Sequence, residues 1–231
     1  MRIHRFYVTE QNLNTKAPVV ITNEPLVNQL KNVFRFVKDD RIILFNNSGF
    51  DFLFSIDVFN NDSVSLNLVE ARENVVLPTR ETYLFASIVK KDNFEWIAQK
   101  ATELGVSHII PIASERSEKK DLNTDRINKI IIEAAEQSGR GTLPILYAVT
   151  DLKTAITNYG HVKSIAWDPT VVKFVPRDVM DCNGAYIGPE GGWSAQEFDL
   201  FKEHGIHVRS LGPQILRSET AVIAVISQLV F

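Results

Sequence analysis

Hydrophobic and polar residues alternate along the first seventy residues in a pattern that predicts short β-strands. The runs with this pattern are Ile3–Val8, Pro18–Ile21, Arg41–Phe45, Phe50–Val58 and Val64–Val69. In Phe50–Val58 an apolar residue recurs at every second position, so these side chains share one face. A helical spacing between Glu24 and Phe36, with Asn23 as N-cap, predicts a short helix. The pattern predicts a small β-barrel or sandwich.

After a linker near residues 75–78, predicted strands alternate with amphipathic helices. The strands are Thr82–Val89, Val106–Ile112, Leu143–Val149, Val162–Trp167 and Ala185–Ile187. Helix-start signals precede the helices at Asp92, Thr124 or Asp125, Asp151 and Ser194. Strand, helix and strand in succession form a βαβ unit, whose strands are parallel. We therefore predict an α/β fold with two domains, residues 1–72 and 73–231.

The last segment, from Ala221 onward, is apolar on all sides. Ser218-Glu219-Thr220 before it resembles a helix start, which favours a helix over a buried strand. A helix without a polar face must be covered on both sides. The pattern predicts that it lies in the heart of the second domain or at a subunit interface.

Composition narrows the function classes. The chain has 231 residues and a formal net charge of −3, so there is no global electrostatic signature of nucleic-acid binding and any RNA contact must come from local patches. A single cysteine, Cys182, excludes an internal disulfide and indicates a reducing compartment. Neither a signal peptide nor an apolar run of membrane-spanning length is present, which predicts a cytoplasmic protein. The five histidines have no metal-site spacing, and we predict no metal.

Two glycine-proline turns follow short apolar runs within Gly184–Ala221. The first, Gly188–Gly192, precedes a helix with an S-x-x-E capping box formed by Ser194 and Glu197. The second, Gly212-Pro213, precedes a segment with two charges and two hydroxyls. Either turn alone is an ordinary loop feature, because glycine and proline are common in loops. Two such turns close together in sequence predict a ligand pocket at the carboxyl ends of strands. The pattern is neither a phosphate-binding P-loop nor a dinucleotide fingerprint.

Six segments, taken in this order, resemble the RsmE family, the methyltransferases that modify uridine N3 of bacterial 16S rRNA with S-adenosylmethionine, within the SPOUT superfamily. They cover nearly the whole chain: His4-Arg5-Phe6, Lys90–Val106 (KKDNFEWIAQKATELGV), Pro111–Ser117 (PIASERS), Ile131–Arg140 (IIEAAEQSGR), Ile187–Ser194 (IGPEGGWS) and Leu211–Ala221 (LGPQILRSETA). The resemblance implies an N-terminal PUA-like β-barrel that binds RNA and a C-terminal α/β domain with a trefoil knot. It also implies a homodimer formed through the knotted region, with the small ribosomal subunit as partner and roles in rRNA processing and ribosome biogenesis.

The family's cofactor pocket is built from the knot loops, which match the two glycine-proline turns of this chain. The implied cofactor-binding residues are Ile187, Gly188, Pro189, Glu190, Gly191, Gly192, Leu211, Gly212, Ile215, Leu216, Thr220 and Ala221. Glycines let the backbone approach the ribose and adenine, and Leu211, Ile215 and Leu216 supply an apolar slot for the base. Glu190 either favours the positive sulfonium centre or is a charge at the N-terminus of a helix.

Uracil N3 carries a proton and is a poor nucleophile until that proton leaves. A cation near the uracil oxygens stabilises the developing negative charge, and Arg217 and Arg5 are the candidates. Glu219 is a candidate proton acceptor on the condition that burial raises its pKa well above the usual value of about 4.3. Its alternative roles are a helix N-terminal charge or a salt bridge with Arg217.

Two departures from the family pattern concern RNA contact. Gln214 stands where a basic residue is expected, and Asn28-Gln29 stand where a histidine is usual. A phosphate-contacting rim is expected from Lys90, Lys91, Arg116, Lys119, Lys120 and Arg140. Two other functions stay open: a non-catalytic RNA-binding or ribosome-assembly factor on the same fold, and methylation of a different RNA nucleotide.

Overall fold

The chain forms two compact units. The computed structural model describes residues 3–76, 78, 80–118, 120–171 and 181–231, without the side chain of Lys91. The first unit consists of Met1–Leu77 with Ala135–Thr142, and the second of Pro78–Ala134 with Leu143–Phe231. Helix α3 (Thr124–Ser138) therefore begins in the second unit and ends in the first.

The first unit is built on a five-stranded sheet in the order β1-β3-β4-β5-β2. Its first strand pairs in parallel with its neighbour, and the other pairs are antiparallel. Helix α1 (Glu24–Asn28) and a π-helical turn (Gln29–Val33) connect β2 and β3. The strands are β1 (His4–Tyr7), β2 (Val19–Ile21), β3 (Arg41–Phe45), β4 (Phe50–Phe59) and β5 (Val64–Glu73).

Strand β4 only partly follows its predicted alternation. Phe52, Phe54 and Ile56 are buried as predicted, whereas Phe50 and Val58 are 43% and 47% exposed. The prediction was wrong for these two because Phe50 begins the strand, and a register shift before Val58 changes the pairing with β5. The predicted helix also ends earlier than expected, but its cap is confirmed, since the Asn23 side chain accepts a hydrogen bond from the Leu26 N–H at 3.0 Å.

The second unit has a six-stranded sheet in the order β11-β9-β10-β6-β7-β8, in which every pair is parallel. This confirms the predicted α/β class with a parallel sheet. The strands are β6 (Tyr83–Ser87), β7 (His108–Ile112), β8 (Ile145–Leu146), β9 (Ser164–Trp167), β10 (Gly184–Ile187) and β11 (His207–Arg209). The other helices are α2 (Lys91–Leu104), α4 (Leu152–Asn158), α5 (Ala195–Glu203) and α6 (Ser218–Val230).

The predicted helix starts are right for α4 and α5. The Asp151 side chain accepts from the Thr154 N–H at 2.9 Å, and Ser194 and Glu197 form the complete capping box. Asp92 is not a cap, because α2 begins earlier and Asp92 lies in its first turn, where a carboxylate is stabilised by the helix dipole. At the start of α3 the capping oxygen belongs to Asn123, which accepts from the Arg126 N–H.

Helix α6 packs against α2 and the sheet with one face. Val222, Val225, Ile226 and Leu229 are buried in the same core as the inner faces of β6, β7, β9 and β10. The prediction of a helix is confirmed, but complete burial was wrong for the single chain, in which the opposite face, including Ile223, is partly exposed. Among the described residues, no helix is long and apolar enough to cross a membrane.

Candidate active site

A cleft of about 250 Å³ opens at the carboxyl ends of β9 and β10. It lies between the loop after β10, the loop after β11 and the first residues of α6. Its lining is Trp167, Asp168, Pro169, Ile187, Gly188, Pro189, Glu190, Gly192, Leu211, Gln214, Ile215, Leu216, Arg217, Ser218 and Ala221. The carboxyl edge of a parallel sheet is the usual place for a ligand in this class of fold.

Two glycines of the loop after β10 allow close packing. A Cβ atom on Gly188 would lie 3.2 Å from Cε2 of Trp193, and one on Gly192 would lie 3.2 Å from Oδ2 of Asp168. Gly192 also has a φ of +66°, in the left-handed region that side chains disfavour. The loop therefore packs closely on the end of β9 and keeps its backbone at the cleft wall.

The end of β9 holds this loop in place through buried polar contacts. Trp193 Nε1 donates to the Trp167 carbonyl at 3.0 Å, and the Trp193 N–H donates to Asp168 Oδ2 at 3.3 Å. Asp168, which is 3% exposed, also accepts from the N–H and hydroxyl of Thr170. The cleft wall is thus preorganised before any ligand arrives.

The loop after β11 supplies an apolar wall. Leu211 packs against the core, whereas Ile215 is 83% exposed and Leu216 is 36% exposed at the mouth of the cleft. The Ser218 hydroxyl donates to the Gly188 carbonyl at 3.0 Å, which ties the start of α6 to the loop after β10. Residues of the first glycine-proline turn and residues on both sides of the second therefore line one cleft.

Most of the predicted cofactor-binding residues line this cleft. They are Ile187, Gly188, Pro189, Glu190, Gly192, Leu211, Ile215, Leu216 and Ala221. Three other predicted residues, Gly191, Gly212 and Thr220, are adjacent to it in sequence but are not part of the lining described above. The carbonyl of Gly191 accepts from Arg116 Nη1 at 3.0 Å.

The lining also includes residues that the sequence did not single out. Trp167 ends β9, Asp168 and Pro169 follow it, and Ser218 begins α6. The signal for the first three was present, because β9 was predicted and ligands bind at strand ends. The strand order, which places β9 directly beside β10, could not be predicted from the sequence.

Glu190 lies outside the helix whose dipole was offered as one of its roles. Helix α5 has Ser194 as its N-cap, so Glu190 precedes the cap by four residues. The dipole effect is confined to the first turn. That interpretation was therefore wrong, and Glu190 is an acidic residue of the cleft wall.

Arg217 and Glu219 differ in exposure and in their position relative to the cleft. Arg217 is exposed, lines the cleft and precedes α6 as its N-cap residue without a side-chain cap bond. Glu219 is 9% exposed in the first turn of α6, and its Oε2 has no hydrogen-bond partner among the described residues. The described ion pairs do not include one between these two side chains.

Arg5 belongs to the first unit, where its guanidinium is already engaged. Nη2 lies 2.6 Å from Asp51 Oδ1, and both side chains are almost fully buried. The same guanidinium donates to the carbonyls of Ala135 and Arg140. Its centre lies 4.5 Å from the centroid of the Phe45 ring. These contacts are those of a structural residue.

The predicted phosphate-contacting rim is only partly available to a ligand. Arg140 was a wrong choice, because it is 3% exposed, its Nε donates to the Thr142 carbonyl, and burial lowers its pKa to about 10. Lys90, Arg116 and Lys120 are exposed. Lys119 and the side chain of Lys91 lie outside the described residues. Within the described ranges, no group of three His, Cys, Asp or Glu side chains is arranged to hold a metal.

Comparison with known proteins identifies the family to which this chain belongs. Residues 76–230 match the model of the RNA methyltransferase domain. The chain is 30% identical to ribosomal RNA small subunit methyltransferase E of Bacillus subtilis, over 97% of this chain and 95% of that protein. The protein of the same name from Neisseria gonorrhoeae, solved bound to S-adenosyl methionine, superposes with a TM-score of 0.88 at 28% identity, covering 97% of this chain and 95% of its own.

A methyltransferase from Legionella pneumophila, solved with the bound cofactor SAM, gives the same TM-score of 0.88 at 29% identity, covering 99% of this chain and 97% of its own. The matches thus extend over both units. The chain therefore belongs to the RNA methyltransferase family, in the group formed by the ribosomal RNA small subunit methyltransferase E proteins.

Proposed function

We propose that this protein transfers a methyl group from S-adenosylmethionine to uridine N3 in 16S rRNA of the small ribosomal subunit. The observation that carries the proposal is the convergence of both glycine-proline turns on one cleft in a chain of this family. Because the substrate is ribosomal RNA, we place the enzyme in the cytoplasm.

The cleft residues fit S-adenosylmethionine in chemical character. Gly188 and Gly192 keep backbone groups at the wall, where the ribose and the amino-acid part of the cofactor need hydrogen-bond partners. Leu211, Leu216 and Ala221 form an apolar surface of the kind that holds an adenine ring. Glu190 supplies a negative charge that suits the cofactor's positive sulfonium.

The bound cofactor supplies an electrophilic methyl group, and the protein has to align it with the acceptor base. The acceptor nitrogen becomes nucleophilic only as its proton leaves and negative charge spreads to the uracil oxygens. Arg217 is the exposed cation on the cleft wall, and its position at the start of α6 is fixed by the adjoining Ser218–Gly188 hydrogen bond. We assign Arg217 to stabilisation of that charge.

Glu219 is our proposed proton acceptor. Its buried carboxyl group, unpartnered at Oε2, lies two residues from Arg217 in the first turn of α6. An unpaired buried carboxylate costs stability, so its presence beside the cleft favours a functional role. We withdraw the catalytic role of Arg5, because its side chain is committed to Asp51.

We further propose that the first unit, predicted as residues 1–72, is a PUA-like barrel that binds RNA and that the second unit, predicted as residues 73–231, is the knotted SPOUT domain. The compact units differ from the predicted bounds, because the first one also includes residues 73–77 and 135–142. The first proposal is supported by the five-stranded sheet and its single apolar core. The second is supported by the contact between the start of α6 and the loop after β10. A homodimer through this C-terminal region would cover Ile215 and Phe231, which are 83% and 91% exposed.

The test is calorimetric titration with S-adenosylhomocysteine, followed by methylation of small subunits from cells that lack the modification. Leu216→Arg fills the apolar slot and should abolish cofactor binding. Ile145→Arg is the matched control, since Ile145 is 53% exposed on β8, away from the cleft lining, and should leave binding unchanged.

Each outcome selects one function. Binding without methylation of any RNA would support the non-catalytic assembly factor. Methylation mapped to another nucleotide would retain the chemistry and change the target. Absence of S-adenosylhomocysteine binding by the unmodified protein would overturn the proposed function.

A further inference from the structure

The loop after β7 is joined to the start of helix α5 by a buried carboxylate. Glu197, on α5, is 3% exposed and accepts two backbone hydrogen bonds. Oε2 accepts from the Ser194 N–H at 2.7 Å, which completes the capping box. Oε1 accepts from the Glu115 N–H at 3.1 Å, across 82 residues of sequence. Capping explains only the first of these contacts.

The second contact fixes a tight turn. The Ser117 N–H donates to the Ser114 carbonyl at 3.2 Å, so residues 114–117 form a β-turn with Glu115 at its second position. The turn is also anchored to β6, since the hydroxyls of Ser114 and Ser87 lie 2.5 Å apart. Ser114 and Ser117 are buried, whereas Glu115 and the next residue are exposed.

The exposed residue at the third position of the turn is Arg116. Its Nη1 donates to the Gly191 carbonyl at 3.0 Å, on the loop that also forms the cleft wall. A Cβ atom on Gly191 would lie 3.1 Å from Cβ of Arg116, so the two loops touch at this point. A guanidinium has five N–H donors, and the described residues provide a partner for one of them.

We propose that Arg116 contacts a phosphate of the RNA substrate and that Glu197 is the positioning residue that holds it there. Arginine presents its donors in a fixed fork that suits phosphate oxygens, and phosphate contacts set the register of a protein on nucleic acid. Glu115 and Glu118 are exposed near Arg116 in sequence, and their carboxylates disfavour RNA, so a phosphate contact depends on the direction in which the Arg116 guanidinium is held. The hydrogen bond from the Glu115 N–H to Glu197 holds the 114–117 turn in place. The turn in turn keeps the Arg116 guanidinium beside the loop after β10.

One pair of substitutions isolates the hydrogen bond between the loops. Glu115→Ala removes the carboxylate and keeps the N–H, whereas Glu115→Pro removes both. Proline suits the second position of a β-turn, so the 114–117 turn is retained. The capping box of α5 is untouched by either change.

The inference rests on the proposed methyltransferase function and is tested with small subunits that lack the modification. We expect Glu115→Pro to raise the KM for subunits about tenfold over Glu115→Ala, with kcat and the Kd for S-adenosylhomocysteine within about twofold. Arg116→Gln should raise KM by a similar factor. In Glu115→Pro combined with Arg116→Gln, KM should rise no further than in Glu115→Ala combined with Arg116→Gln, because loss of the Glu115 N–H acts through Arg116.

Several outcomes would overturn the inference while leaving the methyltransferase function intact. They are equal KM values for the two Glu115 variants, an unchanged KM in Arg116→Gln, and additive effects in the double variant. Thermal melting checks each fold. Should the proline variant melt below the assay temperature, Arg116→Gln still decides the phosphate contact, and Glu197→Ala against Ser194→Ala decides the positioning role. An inactive unmodified protein would instead count against the proposed function.

Discussion

The guanidinium of Arg5 lies 2.6 Å from the carboxylate of Asp51, and both side chains are less than a tenth exposed. Asn74 joins them, donating to Asp51 at 2.9 Å and to the Gly139 carbonyl at 3.1 Å. The residues that follow α3 are thereby held to the strands of the first unit.

Removing one partner of this pair should be severely destabilising. Asp51→Ala leaves an uncompensated buried cation, and we expect the free energy of unfolding to fall by about 3–5 kcal/mol. The matched control is Asp57→Ala, which breaks an exposed pair of 3.6 Å with Lys38 and should cost about 0–1 kcal/mol. Urea denaturation of both variants measures the difference; equal losses would contradict the structural role of Arg5.

Substitution of two glycines with similar φ angles distinguishes the effect of backbone strain on stability from an effect on cofactor binding. Gly192 and Gly205 have φ values of +66° and +69°, so alanine at either site should cost about 1–2 kcal/mol of stability. Only at Gly192 would the new Cβ approach another group, Asp168 Oδ2 on the cleft wall. Calorimetry should show weaker S-adenosylhomocysteine binding by Gly192→Ala and unchanged binding by Gly205→Ala. Weakening in both would assign the effect to general destabilisation.

Arg217→Ala should impair the chemical step more than cofactor binding. Loss of a cation that faces developing charge lowers kcat by about 10²–10³-fold in comparable sites. Arg126→Ala is the control, because Arg126 is an exposed arginine of the same unit, paired with Glu95 on the surface. Single-turnover methylation together with Kd measurement distinguishes the steps. A weaker Kd with an unchanged rate would make Arg217 a binding residue only.

Substitution of Glu219 should lower the methylation rate and raise the stability of the fold. Glu219→Gln replaces a buried carboxylate, whose Oε2 has no hydrogen-bond partner among the described residues, by a neutral amide of the same shape, and we expect the free energy of unfolding to rise by on the order of 1 kcal/mol. If Glu219 takes the proton, kcat falls sharply in the same variant. A stabilised variant with full activity would reduce Glu219 to a helix N-terminal charge.

The cap of α4 gives a pH-dependent prediction. Hydrogen bonds from Thr154, first of all from its backbone N–H, hold the pKa of Asp151 below its ordinary value. The cap is therefore fully stabilising above about pH 4 and is lost as the pH falls through the folded-state pKa. Asp151→Ala should cost about 1 kcal/mol at pH 7, and the cost should shrink below pH 4. Chemical denaturation at several pH values measures it; a cost independent of pH would contradict the charged cap.

Local chemistry was readable from the sequence because it acts over a few residues. The capping box of Ser194 and Glu197 and the cap at Asp151 were predicted from spacing alone and are confirmed. The apolar periodicity likewise predicted five of the six strands of the parallel sheet, whereas the short edge strand β11 was not predicted. Strand β8 is much shorter than its apolar run, because pairing with β7 decides its length.

Contacts between segments that are distant in sequence could not be predicted from the sequence. Asp51 falls on the polar positions of β4 and gave no sign that it faces Arg5 from 46 residues away. The second contact of Glu197 and the side chain of Trp167 at the cleft depend on which strands are neighbours. No periodicity encodes that order, because it is fixed by tertiary packing.

The order of the second sheet determines when the unit can be completed during synthesis. Strand β10 lies between β9 and β6, so a strand that begins at Gly184 fills a central place in a sheet whose first strand begins at Tyr83. Until β10 is made, β6 has an unpaired edge while β7 already covers its other side. Such non-local pairing slows folding and leaves an edge open to other chains. The nascent protein therefore depends on β10 to close this edge, and chains that stop before Gly184 should be prone to aggregation.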